Sequence, residues 1–563
     1  MKNERSGRPL DQLQSEDDLI AAFKVMLNEA RDNIADRVKK ARKSYRFYLG
    51  SHYLRETEDG DWDEDEVTDM YHIPRFQRDV ISQVVAVSRP ILMKGRPKYI
   101  IEADYPDEPA ELTVDGQTHQ VPGLTDADLA QNWQEIFEAE LDFRGEGLLQ
   151  ANLLLDVLIT GVGFRKLKPN RLTGRIETQQ LNITQVLPDP CGFATDFSDS
   201  KYVIIEHEMD AADIERVYGL DESDYANSET EFTAAGSRGL FRRVMTWNGR
   251  LGGANYDLSQ AKEKWARRRY PVYEVWYNQG TPLMVQEGKR EPKSLKYPRG
   301  RLLVIVNGKK VAFDDHNPYW HGEYPIVAYE ADPLPHRFHG MSETERLLDP
   351  QMMINILQNM ILLNAMLAGN NQWMYEEGAV MSEYLTNEPG LMIPVAPGAL
   401  SRGMIQRVEP GKVSSDVFAI LQDLQNHTKQ DLGQAEDVLV GRSLPASASG
   451  RAIDFRQQAA LTSKGFAIEM LDVGHQRNAR LEMSILQQFA DFDDPRITKN
   501  LFFGEHLGWV ESMRELLYDV TVESKADLPH STMARIQQGM NRLQLGVYDL
   551  EEFMRFTGMK VRP

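Results

Sequence analysis

The chain has 563 residues, 41% hydrophobic and 26% charged, with a formal net charge of -21, enough apolar sequence for several packed layers and too much for a mostly disordered protein. The acidic balance excludes a surface that grips nucleic acid all over, because affinity for phosphates comes from Lys and Arg. A lone cysteine, Cys191, excludes an intrachain disulfide framework and a cysteine-rich zinc site and fits a reducing compartment, and the opening MKNERSGRPLDQLQSEDD lacks the apolar core of a signal peptide, so synthesis in a cytoplasm is expected.

From Glu16 to Leu49 the apolar residues Leu19, Phe23, Met26, Leu27, Ala30, Ile34, Val38, Ala41, Tyr45 and Tyr48 recur at three- and four-residue spacing, which predicts an amphipathic helix. The acidic run Asp59 to Glu66 predicts a loop. PRFQRDVISQVVAVSRPILMKGRPKYIIEA then predicts a helix stopped between Pro90 and Pro97 and followed by a strand. A single further helix is expected from about Asp126 to Thr160, ended by GVGFRKLK, after which RIETQQL, NITQVLPDP and KYVIIEHE predict β structure. Glu222 to Gly239 carries few large apolar residues and is expected to be mobile.

From Tyr270 to Tyr329 the chain turns β-rich, with Asn307-Gly308 giving a strong hairpin signal, and this stretch is expected to form a small inserted β subdomain. The segment Met341 to Ala368 predicts a helix opened by the capping-box pair Ser342 and Glu345, with Pro350 imposing a kink or an offset start. Its core, MMINILQNMILLNAMLA, is short for a bilayer and carries Asn355, Gln358, Asn359 and Asn364, which favours burial within protein over a membrane span. A helix apolar on most faces must be covered on most faces, by its own domain or by neighbouring subunits. Val413 to Leu439 predicts a helix with Val413, Val417, Ile420, Leu421, Leu424, Leu432, Ala435 and Leu439 on one face. Gly450 to about Phe489 predicts a longer helix bent at Gly465 and Gly474, and LYDVTVES a late strand before two short helices.

The chemical motifs are mostly negative. GVGFRK lacks the spacing of a phosphate loop and reads as a helix end. Asp59, Asp61, Asp63 and Asp65 mimic a calcium loop, but Glu64 stands where it needs Gly and Met70 where it needs Glu, leaving a solvated acidic loop as the first reading and cation binding as the second. His207-Glu208 lacks the second histidine of a zinc protease, and HNPYWHGEYP, His316 to Pro325, reads as loop packing before metal ligation. With no GxSxG elbow and no other activated nucleophile, no catalytic, cofactor or metal residues are assigned. The basic runs RVKKARK and WARRR read as solvated helix faces, with a nucleic-acid or protein contact as the alternative.

The order of these pieces is more specific than any one of them. ARKSYRFYLGSHY, VVAVSRPILMKGRPKYIIEA, LLLDVLITGVGFRKL, QVLPDP with DFSDSKYVIIEHEM, GEYPIVAYEADPLPHRFHGMSETERLLDPQMMINILQNM, SASGRAI and YDVTVES together resemble the portal proteins of tailed bacteriophages, most closely those of short-tailed phages. The resemblance covers nearly the whole chain. It implies an α+β portal fold with long stem and wing helices, mixed β structure in the wing, a small β-rich clip insert, and assembly as a ring. By position, 1–245 would be the wing, 246–269 a first stem helix, 270–335 the clip, and 336–370 a second stem helix. Residues 371–500 would be a wing return with a tunnel loop at 440–450, and 501–563 a C-terminal strand with crown-like helices.

The partners implied are other copies, usually twelve in all, double-stranded DNA in the channel, the terminase large subunit, the head-tail adaptor or tail proteins, and major capsid and scaffolding proteins, with no membrane. Such a protein stands at the unique portal vertex of the virion. Arg442, Ser443, Pro445, Ser447, Ser449 and Arg451 of the tunnel loop would meet DNA, and Lys309 and Lys310 of the clip would meet the motor or adaptor. Met352, Met353, Ile356, Leu357 and Met360 of the stem would pack between subunits. Two other classes stay open: a phage ring or scaffold protein without a DNA channel, and an enzyme, for which clustered carboxylates or a nucleophile would be needed.

Overall fold

The computed structural model describes residues 13, 15–56, 62–64, 77–94, 98–107, 109–114, 117–170, 175–226, 269–278, 297, 299–369, 372–376, 395–398, 401–408, 415–431, 464–489, 516–523, 540 and 542–544. Helix α1 (Glu16–Tyr48) follows the apolar spacing, and its stripe of Leu19, Phe23, Leu27, Ala30, Ile34 and Val38 is buried. The short strands β1 (Leu54–Glu56) and β2 (Trp62–Glu64) pair with each other, and α2 (Val80–Lys94) carries Pro90 inside it. Strand β3 (Lys98–Ala103) precedes the hairpin of β4 (Pro109–Val114) and β5 (Gln117–Thr125).

The helical stretch after Thr125 is two helices, not the single one expected: α3 (Asp126–Arg144) and α4 (Glu146–Thr160). Gly145 separates them with φ 65, its N–H reaching back to Leu141 and Asp142, and such a left-handed cap leaves the apolar spacing on either side intact. Thr125 and Asp128 make both halves of a capping box at the start of α3.

Strands β6 (Gly163–Asn170), β7 (Arg175–Leu181), β8 (Val186–Pro188) and β9 (Tyr202–Asp210) lead to α5 (Ala211–Tyr218) and the single turn α6 (Glu222–Tyr225). That turn is ordered, contrary to the mobility expected from Glu222 onward: the Tyr225 ring is buried and the Tyr270 hydroxyl donates to Glu222 at 2.6 Å. Residues 227–250 lie outside the described set. Then come β10 (Arg269–Tyr277), β11 (Arg301–Val306), β12 (Lys310–His316), β13 (Ile326–Tyr329), α7 (Glu343–Gly369), β14 (Gln372–Tyr375), β15 (Ile405–Val408), α8 (Ser415–Asp431), α9 (Gly465–Phe489) and β16 (Tyr518–Glu523). This is a mixed, α+β chain.

The chain divides into two compact units, the first comprising Met1–Tyr45, Val85–Glu345 and Asp437–Pro563, the second Arg46–Val84 and Arg346–Glu436. In the first, β12-β11-β10-β9-β8 form one antiparallel sheet. Odd-numbered Tyr273, Val275, Leu303 and Ile305 pack on α1, while even-numbered Val272, Val304 and Val306 pack on Ile214 of α5 and Tyr225 of α6. Both faces being covered, the run from Leu302 to Val306 is apolar without alternation.

This sheet corrects the expectation of a separate β subdomain over Tyr270 to Tyr329. Strand β10 pairs along its whole length with β9, and β13 joins β6 and β7 in a second sheet, so the strands of this stretch complete sheets begun earlier in the chain. Local alternation marks strands but does not say which neighbours they take. The Asn307-Gly308 hairpin is present, with φ 51 and 65 and Lys309 N–H donating to the Val306 carbonyl at 3.0 Å, as a type I′ turn requires.

Helix α9 lies against β13, β16, β6 and β7. Helix α9 runs on through Gly474, which is a point of close contact, since a Cβ there would stand 2.7 Å from Cδ1 of Tyr329. Beside that contact is a buried charge quartet: Arg144 meets Glu482 at 2.7 Å and Glu146 at 3.6 Å, and Arg165 meets Glu146 at 2.5 Å. Two cations and two carboxylates leave no net charge, which is what makes such a site tolerable away from water. His475 stacks edge-on against Tyr329, and Gln150 and Tyr99 contact its two ring nitrogens.

Burial, and then the positive charge of Arg165, holds the His475 pKa down at about 3. An unfolded histidine titrates near 6.5, so the neutral folded ring contributes stability above about pH 6.5 that is lost as pH falls towards 3. Unfolding followed against pH should therefore show falling stability below about pH 6.5, at up to about 1.4 kcal/mol per pH unit for each such histidine. His475→Gln should make that fall shallower, and an unaltered slope would exclude His475 as a contributor.

Candidate functional site

In the first unit Ser342 caps α7, accepting from the Glu345 N–H at 2.9 Å, and the helix continues through Pro350. The reciprocal half of the predicted capping box is replaced. Glu345 turns instead to Arg37 of α1 at 2.5 Å and to Lys40 at 3.1 Å. Arg37 also donates to the Thr160 carbonyl at 2.9 Å and to the Gly340 carbonyl at 2.5 Å. Gly161, at φ 87, would place a Cβ on that Gly340 oxygen and on Arg37, so glycine is required there both by backbone and by space.

In the second unit α7 turns its polar residues inward. Gln351 accepts from the Val80 N–H at 2.8 Å and donates to Asn355 at 3.0 Å; Asn355 donates to Nδ1 of His52 at 2.9 Å; Asn359 donates to the Tyr53 hydroxyl. Because Nδ1 of His52 accepts, its Nε2 carries the proton and donates to the Phe47 carbonyl at 3.0 Å. Burial lowers the His52 pKa, favouring this neutral ring. Residues 351, 355 and 359 fall on one helix face at four-residue steps, beside a small apolar cluster of Phe47, Ile81, Val84, Leu347 and Leu348.

The opposite face is apolar and open. Met352, Met353, Ile356 and Met360 are 41%, 53%, 48% and 57% exposed. Leu357 is half-buried, and past the amide ladder Leu362 and Met366, on the same face as Asn355 and Asn359, are exposed as well. The asparagines had been read only as too polar for a bilayer; their spacing was the signal that they form an internal ladder. Helix α8 differs from expectation in a similar way, with Ile420 and Phe418 exposed and Val417, Leu421 and Leu424 half-buried.

Lys309 and Lys310 sit at the β11–β12 turn, and Lys310 is already engaged, pairing with Glu16 at 3.1 Å. Arg442, Ser443, Pro445, Ser447, Ser449 and Arg451 lie outside the described residues, as do KEKWARRR up to Arg268 and most of the acidic loop. In HNPYWHGEYP the Tyr319 ring stacks between Trp276 and His321, at 5.8 and 5.2 Å, as loop packing. Among the described residues no helix is long and apolar enough to cross a membrane.

A family model described as Phage P22-like portal protein matches residues 151–498, more than half of the chain. The chain belongs to the P22-like phage portal protein family, a structural family of the head-tail connector and DNA packaging apparatus. No match was found among curated proteins.

The two faces of α7 should respond differently to truncation. Asn355→Ala removes the partner of His52 and of Gln351 and should cost about 1–3 kcal/mol in chemical unfolding of the full chain. Met353→Ala, on the exposed face, should change it by no more than about 0.5 kcal/mol. Equal losses at the two positions would contradict this inside-out arrangement.

Proposed function

We propose that copies of this chain close into a ring, twelve in number as the family resemblance implies, that forms the DNA channel at one vertex of the phage capsid. The observation that carries the assembly is the exposed row of Met352, Met353, Ile356 and Met360 on a helix whose Gln351, Asn355 and Asn359 are hydrogen-bonded within the same chain. Contiguous exposed apolar rows on folded chains are characteristic of association surfaces, and head-to-tail contacts between identical copies generate closed rings. In this reading α7 is the second stem helix and Leu357 packs at the edge of the contact. Double-stranded DNA enters and leaves through the centre, past a tunnel loop at 440–450 whose Arg442 and Arg451 recur once per copy. The β11–β12 turn within 270–335, where Lys309 and Lys310 lie, docks the terminase large subunit and then the head-tail adaptor, as part of the sheet it shares with β9 and not as a separate insert. Ring assembly would seed capsid and scaffolding proteins around it.

Electron micrographs of the purified chain should show closed rings with a central hole and one rotational symmetry. Met353→Glu combined with Met360→Glu should leave the chain folded and yield subunits of 64.3 kDa in solution. Rings formed normally by that double variant would place the contact on another surface. Shortening 443–449 to a glycine turn should leave rings intact but reduce DNA packaged or retained, and full genome packaging by that variant would remove the tunnel-loop assignment.

A further inference from the structure

The first unit carries a cationic cleft that ring formation, as argued from α7, does not use. About 560 Å³ in volume, it lies between α1 and the loops at 192–193 and 336–339. Lys39, Lys40 and Arg337 are exposed at it, Arg37 and His339 lie deeper, and Phe193, 49% exposed, stands among its lining residues. In a chain with a net charge of -21 this local reversal is distinctive.

The charges do not cancel. Arg37 and Lys40 share the carboxylate of Glu345, and among the described residues that line the cleft Asp36 is the only acidic one. Four cations against two carboxylates leave a surplus of two positive charges. Neither Lys39 nor the Arg337 guanidinium has a hydrogen-bond or ion-pair partner among the described residues. Deeper in, Nε2 of His339 is buried without a hydrogen-bond partner, although a polar atom removed from water ordinarily has one. A carboxylate would return one charge. A phosphate monoester returns about two and offers three acceptor oxygens, matching the surplus and the open donors together.

We propose that this cleft binds a phosphoryl group, held by Lys39 and Arg337, with Lys40 and the open nitrogen of His339 as further contacts. The volume suits a ligand of mononucleotide size, and the exposed Phe193 ring can take a base against its face. The same chemistry can come from a free phosphate ester or from two neighbouring phosphodiesters of a nucleic-acid backbone, each returning one charge.

Calorimetric titration of the assembled full-length protein with inorganic phosphate and with adenosine monophosphate tests it. Both should bind, and Lys39→Ala combined with Arg337→Ala should weaken them at least about tenfold, since two charge-assisted contacts are lost while two exposed side chains leave the circular dichroism spectrum unchanged. A duplex of about 30 base pairs distinguishes the sources. If the backbone is the ligand, the double variant should flatten the dependence of log affinity on log salt by about 2. If the nucleotide binds and the duplex does not, the source is a free ester. No binding of any phosphate probe at about 10 mM would overturn the proposal. So would affinities unchanged in the double variant, or a glutamate oligopeptide bound as tightly as the phosphate probes.

Discussion

One guanidinium holds the first unit to its course. Arg37 projects from α1 and meets three things at once: the last carbonyl of α4, the carbonyl of Gly340, and the carboxylate at the first turn of α7. Each contact is electrostatically matched, because the C-terminal end of a helix is negative and Glu345 is ionised. Three stretches of chain distant in sequence, at 37, 160 and 340–345, are thus joined by a group with five donors. The backbone pays for this closeness at Gly161 and Gly340, where no side chain fits. Sequence segments that looked like plain helix ends, LITGVG and HGMSE, are therefore the sockets of a single cation.

Around that node the layers follow from simple partition of faces. The five-stranded sheet buries Tyr202, Ile204, Tyr273, Val275, Leu303 and Ile305 on the α1 side and Val272, Val304 and Val306 against α5 and α6. The second sheet and β16 lie against α9, with ionic groups at the contact only because they are paired in a neutral quartet. Lys166, Glu274 and His207 form a similar buried set. There burial would raise the Glu274 pKa, but the Lys166 ammonium and the His207 ring outweigh it and hold the carboxylate ionised.

Local features were legible and neighbourhoods were not. The stripe of α1, the Asn307-Gly308 turn and the strand at 518–523 could be read because period, turn chemistry and β propensity act over a few residues. The break at Gly145 was invisible because a left-handed cap leaves the apolar rhythm on both sides. The contact of Gly474 with Tyr329 was not legible because a glycine that admits a ring looks the same in sequence as one that bends a helix. The pairing of β10 with β9 spans a long intervening segment, and nothing in either strand names the other. On α7 the hydrophobic residues are legible in the sequence, but the direction they face is set by three inward amides whose partners, His52, Tyr53 and Val80, come from distant chain.

Those amides also decide when the surface exists. Gln351, Asn355 and Asn359 find their partners inside the same subunit, so the rotation of α7 about its own axis is fixed before any second copy arrives. A turn of the helix by one residue, about 100°, would strand the ladder's donors and acceptors without partners. The methionine row is thus presented at one angle by every copy. Met side chains, unbranched and adaptable, suit that row to the contact proposed between copies without loosening the angle.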